Sequence, residues 1–287
     1  MSLRSRHPRI PGAFASFGLS ALLGLGLFIG PAAAQVATIA PRLSPVDHML
    51  YVRAGTYEVW QDTTRLGTEF YTTYMTAKRD SMISSSVITY ELRSRNRRLR
   101  YEKQTLRITS AEDNSLYLYQ AKELIGEQDR ALSLTCHDTT ATIYHEDSGK
   151  GEGAVVELPP GRVYVFDPSV YEQVEWLARD FAQGASSTRT MHAVIPARDT
   201  VIAVQVTRGS KEKIAGPGGK SMSAQRIDIF DDLTKIQVWL DDDGNLVRLE
   251  APAQKVRVVR LPAGADEADA LARAQGPANS SGTAVRR

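Results

Sequence analysis

The residues of this chain that could do chemistry are few, and the first group is a glycine-rich run. Residues 215–221 read AGPGGKS, and Gly219-Lys220-Ser221 has the ending of a phosphate-binding P-loop. That motif requires a glycine where this chain has Ile214, and it requires a strand before the loop and a helix after it. Here the flanking segments are both predicted to be strands. We therefore interpret the run as a hairpin loop and not as a nucleotide site.

A second group has the alternation of a calcium-binding loop. Asp241, Asp243 and Asn245 are spaced like the first ligands of such a loop. The loop needs a glycine at its sixth position and a glutamate at its twelfth, whereas this chain has Gly244 fourth and Pro252 twelfth. We interpret the run as a solvated turn.

Histidine and cysteine give no recognisable centre. His137 and His145 do not form a compact pair, either on one continuous strand or across a hairpin turn at Thr139-Thr140. The only cysteine, Cys136, is predicted to be a buried, inert thiol, with a nucleophile or an intermolecular disulfide as the alternative. No zinc-type or nucleophile-elbow motif occurs. We assign no catalytic residue, no metal ligand and no cofactor.

Aromatic residues in predicted strands remain as candidates for ligand binding. Strand alternation places Tyr117 and Tyr119 on one face and Leu116 and Leu118 on the other. Apolar residues on both faces are typical of a curved sheet whose concave side lines a cleft for an apolar or lipid-like ligand. The alternative is that tyrosine and threonine simply suit exposed strand faces. The candidate ligand-binding residues are Trp60, Tyr71, Tyr117, Tyr119 and Trp239.

Strands must position these side chains. From Gly55 onward, β-rich segments are separated by closely spaced turns, which is typical of an antiparallel meander. We predict a mainly β fold, with an open, curved, half-barrel-like antiparallel sheet and one packed α-helix near 168–183. The clearest hairpin is 235–251. A four-residue turn at 241–244 pairs Val238 with Val247, and a two-residue Asp243-Gly244 turn is the alternative.

The single helix has its own sequence signals. Asp167 is predicted as the N-cap, Pro168 as the first helical residue, and Gly184 as the stop. Its apolar residues recur at helical spacing and should cover the sheet: Val170, Val174, Leu177 and Phe181. The opposite side carries Glu172, Glu175 and Arg179.

The N-terminus has the features of an export signal. Arg4, Arg6 and Arg9 precede an apolar run at 14–29, and small residues at 31–34 suit signal peptidase. We expect 1–34 to be a cleavable signal peptide, with a transmembrane anchor as the alternative. Cleavage leaves 287 − 34 = 253 residues, and removing three arginines changes the formal charge from +2 to −1. The mature chain then has no basic balance that favours nucleic acid.

Composition divides the exported part into three regions. Residues 35–54 are expected to be an extended lead-in, 55–261 one β-rich domain, and 262–287 a flexible tail rich in Ala, Gly, Asp and Arg. We expect a periplasmic or extracellular protein with no membrane span after cleavage.

Two motifs carry a resemblance. One is a G-x-Y-x-V strand formed by Gly55, Tyr57 and Val59. The other is a late V-W-x-D-x-x-G-x-L-V-R hairpin formed by Val238, Trp239, Asp241, Gly244, Leu246, Val247 and Arg248. With the export signal, they resemble exported bacterial β-sheet proteins of unknown function, and the architecture is similar to the half-barrel of lipoprotein carriers. No functional residue carries over.

The function predicted from these features is binding. We expect a cell-envelope binding module for an apolar or lipid-like ligand. The alternatives are a structural or protein-interaction module with an envelope protein partner and no small ligand, and then a hydrolase whose site is not visible in the sequence.

Overall fold

A single sheet of fifteen strands dominates the computed structural model, which describes residues 49–94, 97–231 and 234–264. The predicted signal peptide, most of the lead-in and most of the tail lie outside these residues. The sheet is open, mostly antiparallel, and accompanied by a single helix among the described residues, so the predicted fold class is confirmed.

The strands, in chain order, are β1 Met49–Gln61, β2 Thr64–Thr76, β3 Ser81–Ser94, β4 Arg97–Ser110, β5 Leu116–Ile125, β6 Gln128–His137, β7 Thr140–Asp147, β8 Lys150–Glu157, β9 Val163–Val165, β10 Thr188–Ile195, β11 Thr200–Ala215, β12 Ser221–Phe230, β13 Lys235–Leu240, β14 Leu246–Ala251 and β15 Val256–Arg260. The helix, α1, is Tyr171–Gln183 and follows β9.

The first and last strands pair at the middle of the sheet. The strand order is β8-β7-β6-β5-β4-β3-β2-β1-β15-β14-β13-β12-β11-β10-β9, and only β9 and β10 pair in parallel. Tyr57 of β1 lies opposite Arg260 of β15. The sheet therefore has a first wing, β1–β8, and a second wing, β9–β15, joined at this central pair.

The two wings curl around α1. The helix contacts β11, β12 and β13 of the second wing, and it also forms hydrogen bonds with side chains of β1, β2 and β4 in the first wing. Near the far ends of the sheet, Nε2 of His145 on β7 lies 2.8 Å from Oδ1 of Asp199, which follows β10. We call the face of the sheet toward α1 the inner face and the opposite face the outer face.

The enclosure of α1 corrects the sequence-based expectation about its polar side. Glu172 and Glu175, which were predicted to lie opposite the sheet, are buried, and so is Trp176. The helix has one apolar stripe, but the sheet covers the remaining sides as well. A helix packed on one face of a sheet keeps its polar side in water, whereas this helix must satisfy its carboxylates inside the protein.

The start of the helix also differs from the prediction. α1 begins at Tyr171, and no side chain of the flanking residue Val170 caps it. Asp167 is not the N-cap, because its carboxylate binds Lys103 and Tyr119 on the first wing. Pro168 consequently lies in the turn before the helix.

The late hairpin has the alternative register. Val238 pairs with Leu249 and Trp239 with Arg248, as expected for a two-residue turn, so the predicted pairing of Val238 with Val247 is wrong. The connection is nevertheless longer than two residues, since it runs from 241 to 245. Within it, the carboxylate of Asp241 accepts the backbone N–H groups of Asp243 at 3.0 Å and Asn245 at 2.7 Å. A bulge at Trp239 and Leu240 absorbs the difference.

The chain also turns between β6 and β7. His137 pairs with Thr140, so the turn lies at Asp138-Thr139, one residue before the Thr139-Thr140 turn that the sequence allows as one of two arrangements. Asp138 has a φ of 45°, which is the left-handed conformation that aspartate tolerates in tight turns.

The inner face differs in chemistry between the wings. The second wing contributes mainly aliphatic side chains that are fully buried, including Val204, Val206, Ile227, Ile229 and Val238. The middle of the first wing contributes tyrosine, hydroxyl and charged side chains, of which Tyr57, Tyr71, Thr73, Ser84 and Lys103 are buried. Leu177 and Phe181 of α1 belong to the apolar core.

Leu177→Ala should lower the free energy of unfolding by about 2–5 kcal/mol, because Leu177 is fully buried and its loss leaves a cavity. Urea denaturation followed by circular dichroism measures this change. The matched control is Val155→Ala on the outer edge strand, where the side chain is 69% exposed. The control should change stability by less than about 0.5 kcal/mol. Equal losses in the two variants would contradict the enclosure of α1.

Candidate functional site: a polar interface between helix and sheet

The candidate site is a group of charged side chains enclosed between α1 and the first wing. We call it the polar interface. Its cations come from the sheet and its carboxylates come mainly from α1 and the turn before it. The members are Arg53, Glu69, Lys103, Arg107, Asp167, Glu172 and Glu175, and each has a side chain that is at least nine-tenths buried.

Glu172 lies between two arginines. Its Oε1 accepts a hydrogen bond from Nη2 of Arg107 at 2.7 Å and lies 3.7 Å from Nη2 of Arg53. Strand pairing aligns Arg53, Thr73, Ser84 and Arg107 in one row across β1 to β4. The short side chains of Thr73 and Ser84 leave space over the sheet, so that both guanidinium groups can approach a single carboxylate.

Glu175 is bound by three side chains from the first wing. Arg53 and Tyr57 each donate a hydrogen bond to its carboxylate, and the hydroxyl of Tyr71 donates to Oε2 at 3.2 Å. The rings of Tyr57 and Tyr71 stack with centroids 5.3 Å apart, which fixes the two hydroxyl groups side by side. Burial raises the pKa of Glu175, and the charge of Arg53 opposes that effect.

Lys103 anchors the turn that precedes α1. Its Nζ lies 2.5 Å from Asp167 and 2.6 Å from Glu123, and Tyr119 donates a second hydrogen bond to Asp167. Burial alone would lower the pKa of Lys103, but Asp167, Tyr101 and Glu123 outweigh it, so the pKa is raised and the lysine is charged.

Glu69 caps the helix from a distant strand. Its carboxylate accepts the backbone N–H of Tyr171 at 2.7 Å and of Glu172 at 3.3 Å. Both N–H groups belong to the first helical turn, where they have no partner within the helix. No cation among the described residues forms an ion pair with Glu69. Burial raises the pKa of Glu69 from 4.5 to about 8, and the two N–H groups oppose the rise only in part.

Trp176 extends the interface toward the second wing. The guanidinium of Arg107 lies 3.9 Å from the centre of the Trp176 ring, and the ring of Tyr164 on β9 packs against it at 4.6 Å. A cation over a desolvated indole face is stabilised by about 2 kcal/mol. Trp176 therefore covers the flat face of the Arg107 guanidinium, while Glu172 neutralises its charge.

Several buried donors of the interface have no hydrogen-bond partner in the described part of the chain. They are Nε of Arg53 and Nε and Nη1 of Arg107. Buried donors are nearly always satisfied, so such a group indicates a site for water or for an acceptor that is not part of the protein. The interface is therefore richer in donors than its own carboxylates require.

Two of the five predicted ligand-binding residues lie at this interface. Tyr71 and Tyr119 are fully buried on the inner face, where their hydroxyl groups bind Glu175 and Asp167. Their role as ligand contacts stays a prediction.

The other three lie away from it, and two of them are tryptophans on the outer face. Trp60 donates its indole N–H to Glu58 at 3.0 Å and lies under Arg257. Trp239 is 6% exposed, donates to Glu212 at 3.0 Å and lies under Arg248. The structure does not bring these indoles together with Tyr71 and Tyr119, and their role in binding also stays a prediction.

Tyr117, the last of the five, is separated from Tyr119 by a β-bulge. Ile108 pairs with Leu118 and Thr109 with Leu116, so Tyr117 is the extra residue of β5. It is 47% exposed, whereas Tyr119 is fully buried. The expectation that the two tyrosines share a face is therefore wrong, because a bulge interrupts strand alternation.

The charged members of the interface were missed at the sequence level. Lys103 and Arg107 alternate on one strand face with Tyr101, and such a polar face resembles the solvent-exposed face of an ordinary antiparallel strand. Glu172 and Glu175 resemble the solvent side of a helix. The sequence offers one signal, which is that the strands of the first wing carry apolar residues on both faces. This signal does not show which of the two faces is enclosed.

The motifs first considered for chemistry have structural roles. Residues 216–220 connect the antiparallel strands β11 and β12, as predicted. Cys136 is half-buried against the core, and burial raises the pKa of its thiol to about 11. No helix in the described ranges is long and apolar enough to cross a membrane.

Comparison with known proteins gives no relative for this chain: no family model, curated protein or solved structure matches it.

Glu69→Gln should change how stability depends on pH. Between pH 4.5 and about 8, folded Glu69 holds a proton that the unfolded chain releases, so the contribution of Glu69 to wild-type stability falls as pH rises through this window. Glutamine does not titrate. As pH rises through this window, the free energy of unfolding of the variant should therefore increase relative to that of the wild type by up to about 1.4 kcal/mol per pH unit. Chemical denaturation at pH 5, 6.5 and 8 measures the difference.

Glu91→Gln is the matched control for Glu69→Gln. Its side chain is 75% exposed, so the variant and the wild type should show parallel pH dependence. If the stability of Glu69→Gln had the same pH dependence as that of the wild type, Glu69 would not be the group that titrates in this window.

Lys103→Met should lower the free energy of unfolding by about 3–5 kcal/mol, because it leaves Asp167 buried without its cation. Adding Asp167→Asn should recover part of the loss, which a double-mutant cycle measures. The control is Lys211→Met, whose partner Asp242 is exposed. Its cost should be less than about 0.5 kcal/mol. Additive losses in the cycle would contradict a coupled pair.

Proposed function

We propose that this protein is an exported binding module of the cell envelope, which takes an amphiphilic, lipid-like ligand between its sheet and α1. The observation that carries the proposal is the way in which α1 is held. The helix is enclosed by both wings, yet its N-terminal half is attached to the first wing through ion pairs and hydrogen bonds.

Such an attachment favours an exchangeable helix. A buried ion pair recovers little more than the cost of removing both charges from water, and apolar replacements are often as stable or more stable. An apolar helix in the same place would hold the two wings together more firmly. The polar interface therefore supports a helix that a ligand can displace, with the ligand replacing the contacts that the helix gives up.

The second wing provides the complementary surface. Its inner face is lined by aliphatic side chains such as Ile227, Ile229 and Val238, which form one apolar core with Leu177 and Phe181 of α1. An acyl chain of a ligand can bury the same aliphatic surface, at about 0.8 kcal/mol for each CH₂ group. The interior between the wings thus has one polar and one aliphatic wall, as an amphiphile requires.

A second candidate function is a protein-interaction module without a small ligand. On the outer face of the first wing, paired residues form an apolar row that is separate from the core cluster around α1, and one of them, Ile83, is itself buried: Tyr51, Tyr74, Ile83, Ile108 and Leu118. A continuous apolar row on an outer face is typical of a surface that packs against another protein.

Native mass spectrometry of the protein purified from its own cell envelope tests the first function. We expect a bound species of lipid mass that organic extraction removes. Lys103→Met should retain less of it if the interface binds the polar end, whereas the outer-face variant Ile108→Ser should retain as much as the wild type. A protein that carries no lipid, and that elutes in complex with another envelope protein unless Ile108 is replaced by Ser, would favour the second function.

A further inference from the structure

We propose that the ligand which displaces α1 is an anionic amphiphile, with a phosphate or carboxylate head that takes the places of Glu172 and Glu175 on Arg53 and Arg107. This inference rests on the proposed function and adds the charge of the ligand. It follows from the distribution of charge between the sheet and the segment that would leave.

The charges on the two sides of the polar interface are opposite. On the first wing, three nine-tenths-buried cations face α1: Arg53, Lys103 and Arg107. The segment that contains α1 supplies a carboxylate for each of them, namely Glu175, Asp167 and Glu172. If the segment moved away with its carboxylates, the three cations of the sheet would lose the carboxylates that compensate their charge.

The carboxylates that remain on the first wing do not compensate that charge. Glu69 binds backbone N–H groups of α1 and has no ion pair with a cation in the described ranges. Glu123 remains with Lys103, at 2.6 Å. Arg53 and Arg107 have no other acidic partner among the described side chains, so their charge must be met by whatever replaces the helix.

The geometry fits one anionic group between the two arginines. A single carboxylate oxygen of Glu172 lies within 2.7 Å of Arg107 and 3.7 Å of Arg53. The donors Nε of Arg53 and Nε and Nη1 of Arg107 are buried and have no hydrogen-bond partner among the described residues, so the pair can bind more oxygen atoms than α1 supplies. Phosphate has these additional acceptors, and arginine binds it through two parallel hydrogen bonds.

The remainder of the ligand is indicated by the other side of α1. Beyond its carboxylates, the helix presents Leu177, Ala178 and Phe181 to the apolar core. The helix thus combines acidic groups and a long apolar side, and the molecule that replaces it should have both. A free anion lacks the apolar part, and a neutral lipid lacks the charge.

Trp176 provides a direct reporter of helix displacement. It is one of three tryptophans and the only one on α1, where it is 5% exposed and lies against Arg107. In the Trp60→Phe/Trp239→Phe background, tryptophan emission comes from Trp176 alone. Displacement of α1 should shift this emission to longer wavelength and increase its quenching by acrylamide.

The experiment titrates this protein with dodecyl phosphate, dodecyl maltoside, dodecyltrimethylammonium and inorganic phosphate, with each detergent below its micelle concentration. We expect the emission shift with dodecyl phosphate at a Kd at least about tenfold below that of dodecyl maltoside, which is the effect of one charge-assisted contact. Isothermal titration calorimetry of the wild-type protein checks that the dissociation constants of the detergents have the same order.

In Arg107→Gln, the ratio of the dissociation constant of dodecyl maltoside to that of dodecyl phosphate should fall close to one. Arg107→Lys keeps the charge and should retain most of the preference for dodecyl phosphate. The cost of moving α1 is the same for both detergents and cancels in the ratio, so a general loss of stability cannot produce this result. Arg65→Gln on the outer face is the matched control and should leave the ratio unchanged. If Arg107→Gln does not fold, Arg53→Gln gives the same test.

Glu172→Gln should act in the opposite direction and tighten the binding of dodecyl phosphate, because it weakens the internal competitor. Equal binding of the anionic, neutral and cationic detergents would overturn the inference and leave the proposed function standing. Binding of inorganic phosphate with the same emission shift would overturn the amphiphile and identify a free anion. Absence of binding by all four probes would overturn both proposals.

Discussion

The structure depends on burying a charged helix inside a sheet. A helix that bears Glu172 and Glu175 can be enclosed only if the sheet supplies a donor for each carboxylate, because an isolated buried charge costs far more than any single contact returns. Arg53, Arg107, Tyr57 and Tyr71 are those donors. The same requirement explains the short side chains of the first wing, since Thr73 and Ser84 leave the arginines room beneath the helix.

The helix cap follows from the same constraint. A helix that starts in water is usually capped by its own flanking residue, but here Asp167 is already bound to Lys103 and cannot serve. Glu69 of β2 takes that role from across the interface. The sheet therefore determines where the helix begins, and the start of the helix and the ion pairs of the interface form one connected unit.

Much of the fold could be predicted from the sequence, and most of the site could not. Local signals identify the hairpin around Trp239 and the helix around Leu177, because turn residues and apolar spacing act over a few residues. The role of Lys103 depends on Asp167, far along the chain, and strand alternation cannot say which face a curled sheet will enclose. The bulge at Tyr117 shows the same limit, since it reverses a face without any change in composition.

The pairing of β1 with β15 has a consequence for how the chain acquires its structure. Tyr57 lies opposite Arg260, so the middle of the sheet is formed by the two strands that are farthest apart in sequence. Contacts of such high sequence separation form slowly, because the intervening chain must be ordered first. The seam between the wings can close only after β15 has been synthesised. Pairing across the seam is therefore expected to be a late event of folding.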